Sequence, residues 1–254
     1  MSVPTATYAV ETHGLLKEFA GFRAVNGVDL RLEAGKVHAL VGPNGAGKTS
    51  LFNLLTGFLR PTAGRVVILG DDTTGLPPEG VARRGVARSF QITSLFDQLT
   101  ALEHAELALQ AGSTLGYRFW ASEGALERYR PRSRELLAEV GLAELANRPA
   151  GKLPYGQKRA LELALAIALD PRLLLLDEPT AGMGVEDIRR TIELIRKAHT
   201  GRTVVLVEHN MGVVAELADQ VIVLQQGRVI AQGTYAAVRE DPAVVAAYLG
   251  QAHA

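Results

Sequence analysis

The sequence predicts an α/β protein built on a mostly parallel sheet with helices against it. Short apolar runs of strand length recur along the chain, amphipathic stretches of helical period separate them, and a glycine-rich segment stands between one such run and one such helix. Val28, Leu30 and Leu32 alternate with polar residues, as in a half-buried strand, and Val37 to Val41 is a continuous apolar strand. After the glycine-rich turn, Thr49 to Leu55 has helical spacing and Arg65 to Leu69 returns to a β-branched pattern. Leu173 to Leu176, Thr203 to Val207 and Val221 to Leu224 read as further buried strands, with Val185 to Ala198 as an amphipathic helix among them. From about Leu99 to Leu145 the chain reads only as helix, rich in Ala, Leu, Glu and Arg. Gly112, Ser113, Gly116 and Gly124 loosen the centre of this stretch, and Pro131 suits the first turn of the helix that follows.

Composition narrows the function. At 254 residues one principal domain is expected, 1–254, with 1–98 and 151–254 as its core and about 99–150 as an inserted helical subdomain. The 27 basic and 27 acidic side chains cancel, so no global positive field draws the chain to nucleic acid. Cysteine is absent, which removes disulfides, thiolate metal sites and cysteine nucleophiles. Met1 to Val10 shows no basic leader or apolar core, and no apolar stretch approaches the ~20 residues of a membrane-spanning helix. Any role at a membrane is therefore expected to come through partner subunits.

Gly42-Pro43-Asn44-Gly45-Ala46-Gly47-Lys48-Thr49 fits G-x-x-x-x-G-K-[ST], with a predicted strand before it and a helix after it. The glycines let successive backbone N–H groups turn toward phosphate oxygens at the positive end of the helix. Lys48 suits the β- and γ-phosphates of a nucleotide, and Thr49 suits Mg²⁺. Leu173 to Leu176 ends in Asp177-Glu178, two carboxylates at the carboxyl edge of a buried strand. Alone, such a pair is more often an ordinary loop or helix cap. Downstream of a phosphate loop, Asp177 suits the metal and Glu178 suits a general base that polarises water. Leu153-Pro154-Tyr155-Gly156-Gln157 precedes the amphipathic Lys158 to Leu169, which puts Gly156 at a helix N-terminus, a second anion-favouring end.

The order of these segments, a phosphate loop, L-x-x-G-Q, an apolar strand ending Asp-Glu-Pro and a strand ending in His, resembles the ABC transporter ATPases from about Tyr8 to Gly250. The resemblance implies a P-loop ATPase fold with a mixed, mostly parallel core sheet, an N-terminal antiparallel β part and an inserted helical subdomain. It implies ATP and Mg²⁺ as cofactors, held by Gly42 to Thr49 and Ser50, and a dimer in which Leu153, Tyr155, Gly156 and Gln157 of one subunit cover the nucleotide of the other. Phe19 resembles the aromatic that stacks on adenine. Gln91 resembles the glutamine that touches Mg²⁺ and the attacking water, and His209 the histidine that meets the γ-phosphate. Two departures stand out: Pro154 and Tyr155 replace the usual Ser-Gly, and Gly184 stands where many relatives have Asp.

Thr56-Gly57-Phe58, Arg88-Ser89-Phe90-Gln91, Ala181-Gly182-Met183, Glu208-His209-Asn210-Met211 and Tyr248-Leu249-Gly250 together resemble the ATPase subunits of branched-chain amino-acid importers. Urea and short-amide importers and the lipopolysaccharide-export ATPase share parts of this set. The resemblance implies integral membrane permease subunits as partners and a second ATPase subunit, identical or paralogous. It also implies an extracytoplasmic solute-binding protein reached indirectly, a place at the cytoplasmic face of the membrane, and no nucleic acid. A soluble ABC-type ATPase acting on ribosomes or DNA is the rival of another class. Such proteins usually carry two cassettes or a long coiled-coil insert, and this chain has one phosphate loop and a short helical insert.

Overall fold

Two long strands, β1 (Tyr8–Phe19) and β2 (Phe22–Glu33), pair antiparallel, and β4 (Ala63–Ile68) and β5 (Asp71–Asp72) extend them into a four-stranded sheet of order β2-β1-β4-β5. The computed structural model describes residues 7–89, 95–111 and 127–249. Register shifts between Thr12 and Leu15 and between Lys17 and Glu18 break the two-residue alternation of β1, which is why that strand is hard to read in the sequence.

The second sheet has six strands in the order β10-β9-β3-β8-β7-β6. They are β3 (Val37–Val41), β6 (Val86–Ser89), β7 (Leu173–Asp177), β8 (Thr203–Val207), β9 (Gln220–Gln225) and β10 (Arg228–Gly233). All neighbours are parallel except the β9–β10 hairpin. β3, β7 and β8 are buried along their whole length, because both faces of the sheet are covered. Leu40, Leu173, Leu175, Val205 and Leu224 face one cluster with the antiparallel sheet and helix α1 (Lys48–Leu55). Ala39, Leu174, Leu176, Leu206 and Val223 face the other, with helices α5 (Tyr155–Ala168), α6 (Val185–His199) and α7 (Met211–Leu217).

Between β6 and β7 the described elements are helical: α3 (Ala101–Ala111), α4 (Arg130–Glu139) and 3₁₀ turns at Ala143–Leu145 and Ala150–Lys152. Pro131 lies in the first turn of α4. These elements share a third apolar cluster with α5, through Leu161 and Ala164. α5 thus joins the insert to the sheet, since Leu163 and Ile167 on its other side pack in the second cluster. It starts at Tyr155, three residues before the amphipathic stretch, because Pro154 fixes the entry of the chain as its N-cap. Short α2 (Pro78–Ala82) precedes β6, and α8 (Tyr235–Glu240) and α9 (Pro242–Leu249) follow β10. Among the described residues, no helix is long and apolar enough to cross a membrane.

Candidate functional site

The glycine-rich segment follows β3 directly and opens α1, so its backbone sits at the carboxyl edge of the parallel sheet. Gly47 is the N-cap of α1 at φ 101°, and no side chain caps the helix. The first-turn N–H groups of α1, which lack intrahelical acceptors, are therefore left to an outside partner. A Cβ on Gly47 would collide with the Ala24 carbonyl, and one on Gly42 with the Leu224 carbonyl, so the loop is pinned between β2 and the end of β9. Asn44, Gly45 and Thr49 are exposed, Ser50 is partly so, and Ala46 is buried. Lys48 is buried and donates to the carbonyls of Gly42 (2.7 Å) and Pro43 (3.0 Å). Burial lowers its pKa, opposed by the charges of Glu178 and Asp177, which places those carboxylates in the electrostatic reach of the loop.

The strand order explains that meeting. β3 and β7 flank β8, so the segments leaving their carboxyl ends emerge on one edge. Asp177 ends β7 with its side chain 1% exposed. Its Oδ2 accepts from Nη2 of Arg88 at 2.7 Å, while its Oδ1 is buried with no hydrogen-bond partner. Glu178 follows in the left-handed region at φ 48°, a conformation that costs a non-glycine residue about 1–3 kcal/mol. Its N–H donates to the Val207 carbonyl at 3.0 Å, and its Oε1 lies 2.9 Å from Nε2 of His209. The second carboxylate and the histidine thus stand in hydrogen-bond contact at the ends of β7 and β8.

Glu208, whose chemistry the sequence did not announce, organises this edge. It is buried and accepts from the N–H and hydroxyl of Thr180 and from the N–H groups of His209 and Asn210. Arg88 is the second such residue: it stands out in sequence only as part of a motif fragment, and its partner lies 89 residues away. An acidic residue directly before the strand-end His was the one available signal for Glu208.

Phe19 is exposed at the tip of the β1–β2 hairpin, with Lys17 Nζ 4.9 Å from its ring centre and the still more exposed Phe22 paired beside it. That hairpin reaches the glycine loop through Ala24. Leu153 is buried in the helical cluster and Tyr155 is exposed, its hydroxyl donating to the Ala181 carbonyl at 3.1 Å. Gly156 leaves room for the Asp187 carboxylate, which would crowd any Cβ there, and Gln157 Oε1 is buried without a partner. The structure therefore gathers the glycine loop, Lys48, Asp177, Glu178 and His209 at one edge. It sets Tyr155 against the loop after β7, at Ala181, and Gly156 against the first turn of α6, at Asp187, with no contact to the glycine loop among the described interactions. Gln91 lies outside the described residues.

The residues fit a magnesium nucleotide. No cluster of three or more His, Cys, Asp or Glu suited to a metal occurs among the described residues. The unpartnered, buried Oδ1 of Asp177 offers one acceptor to such an ion or its water.

Comparison with known proteins points the same way. A family model described as ABC transporter matches residues 25–181, and one described as branched-chain amino acid ATP-binding cassette transporter matches residues 228–254. The chain is 42% identical over 253 residues to the high-affinity branched-chain amino acid transport ATP-binding protein BraF of Pseudomonas aeruginosa, covering 96% of this chain and 98% of that one. It is 39% identical over 255 residues to LivG of Escherichia coli, described in the same words, with the same coverage. Among solved structures, a nucleotide-free ATP-binding cassette from an ABC transporter superposes with a TM-score of 0.81 at 30% identity, covering 95% of this chain and 98% of the other. The dimeric post-hydrolysis state of the cassette MJ0796 bound to ADP and Pi gives 0.75 at 28%, covering 89% and 98%.

Proposed function

This chain belongs to the ABC transporter family of ATP-binding proteins, and from that premise we propose that it is the ATP-hydrolysing subunit of an importer of branched-chain amino acids. The observation that carries the reading is the meeting of Lys48, Asp177, Glu178 and His209 at the carboxyl ends of β3, β7 and β8, beneath a glycine loop whose helix end is uncapped. The amino-acid class is supported by the kinship with BraF and LivG and by the match of residues 228–254.

In this reading the main-chain amides of Gly45 to Ser50 bind the phosphates, and Lys48 exchanges two neutral carbonyl acceptors for anionic oxygens, the stronger partners for a cation. Thr49 and Asp177 hold Mg²⁺ with Gln91, and Phe19 carries the adenine. Bound there, Mg²⁺ supplies charge neutralisation at the phosphate oxygens. Glu178 takes the proton of the attacking water, and His209, hydrogen-bonded to it, fixes the carboxylate's orientation and faces the terminal phosphate. Leu153, expected from sequence to help close the site, is buried in the helical cluster and anchors the segment from behind. A second subunit offers Tyr155, Gly156 and Gln157 to close the site. The start of α5, which no side chain caps, suits that task, and backbone amides replace the missing serine hydroxyl. A 420 Å³ groove walled by Phe58, Val81, Leu95, Leu165 and Leu169 is where membrane-embedded permease subunits dock, at the cytoplasmic face. The helical insert moves with α5 as the dimer opens and closes.

Purified chain should hydrolyse ATP in a Mg²⁺-dependent manner. Glu178→Gln should lower kcat by about a hundredfold or more while ATP still binds. Lys48→Ala should weaken ATP binding by roughly tenfold to a hundredfold. Reconstituted with its membrane partners, the wild type should drive leucine uptake. Near-normal turnover in Glu178→Gln removes that residue as the base, and lipid export in place of amino-acid uptake overturns the substrate class.

A further inference from the structure

Arg88 is more than the neutraliser of a buried carboxylate. It leaves β6, the edge neighbour of β7, and its side chain is 11% exposed. One guanidinium nitrogen donates to Asp177 Oδ2 at 2.7 Å. Another donates to Asn53 Oδ1 at 2.6 Å and to Thr56 Oγ1 at 3.2 Å. The group lies 5.6 Å from the ring centres of both Phe52 and Phe58, so its planar faces are confined as well as its edges.

The partners define a geometric relation. Asn53 stands four residues after Thr49 in α1, and residues so spaced share one face of a helix. Arg88 therefore ties the strand end that carries Asp177 to the helix face that carries Thr49. These are the two described residues assigned to the metal above, and Arg88 binds neither through the atom the metal needs. It occupies Oδ2 of the aspartate and leaves Oδ1 buried and unpartnered.

We propose that Arg88 is a positioning residue for the metal site: a clamp between β7 and α1 that fixes the Asp177 carboxylate, by one oxygen, at a set distance from Thr49. The inference rests on the reading of Asp177 and Thr49 as the metal-holding pair. A lysine cannot reproduce it, because a single ammonium lacks the planar fork that spans three acceptors.

The test is a Mg²⁺ titration of the full-length purified chain with a non-hydrolysable ATP analogue, read as thermal stabilisation, against the same analogue in EDTA. Removing an outer partner of a metal ligand lowers metal affinity about tenfold or more, so Arg88→Ala should raise the Mg²⁺ midpoint by that factor. Metal-free nucleotide affinity should stay within about twofold, since the glycine loop is untouched. Arg88→Lys should fall between, with a shift of roughly threefold, and it decides the question if Arg88→Ala does not fold. A folded variant with the wild-type midpoint overturns the proposal and leaves Arg88 a structural counter-ion. A lower midpoint overturns it too, because Arg88 would then be competing with the metal. If the wild type itself shows no Mg²⁺-dependent stabilisation, the functional reading fails instead, and the two failures are thereby distinct.

Discussion

His38 illustrates how single side chains in this protein are governed by burial. It lies fully inside β3, its Nε2 2.9 Å from the Glu33 carbonyl and its Nδ1 without a partner. Burial pushes its pKa down, against the opposing pull of the Glu33 carbonyl and of the Asp219 and Glu33 carboxylates, while nearby Lys36 adds to the fall. The unfolded chain therefore takes up a proton at about pH 6.5, before the folded one does, and binds more protons through the window just below. Stability should decline as pH falls through that window and stay flat above it. His38→Leu, with nothing to protonate, should lose less stability than the wild type between pH 7 and pH 5, measured by urea midpoints at both. An equal acid loss in both proteins would place the acid sensitivity elsewhere. At this scale the sequence is informative where chemistry follows from neighbours in the chain, as for Lys48 in its loop or Asp177 at its strand end. It is silent on Arg88, because that pairing exists only once β6 and β7 lie side by side.

Elements were legible in proportion to their burial. β3, β7 and β8 are enclosed on both faces and so appear as unbroken apolar runs, whereas β10, partly exposed and carrying Arg228 and Gln232, gives no such run. β6 is four residues long and ends in Arg88-Ser89, too short and too polar to register as a strand. α7, which the sequence analysis did not pick out as a helix, starts on a side-chain cap: Asn210 accepts from the N–H groups of Gly212 (3.0 Å) and Val213 (3.4 Å) and closes the turn directly after His209. Asn210→Ala should cost about 1 kcal/mol, and Asn210→Ser, which keeps a capping oxygen, much less. Equilibrium denaturation of both variants checks the difference. Equal losses would show that the cap oxygen is not what stabilises this helix.

At the scale of the molecule, the alternation of strand and helix patterns predicted an α/β fold, and the two observed sheets agree with the mixed core and the antiparallel N-terminal part that the family resemblance implied. What the order could not convey is that α5 belongs to two apolar clusters at once, because both of its faces are used. Its last turn leads to Leu169, which is exposed on the wall of the groove proposed above for the permease subunits. Leu169→Glu should keep the ATPase rate of the isolated chain within about twofold, since surface changes of this kind rarely disturb a distant site. It should abolish co-purification with the permease subunits, and retained capture would move the docking face elsewhere. The glycine loop, finally, is shaped by chain that lies far beyond it: Gly227 N–H donates to the Ala46 carbonyl at 2.9 Å, and the Leu224 carbonyl fills the space a Cβ on Gly42 would need. The octapeptide alone is therefore not the whole cradle: a motif contiguous in sequence takes part of its shape from a distant hairpin, so a change in the β9–β10 turn is felt where phosphate is expected to bind.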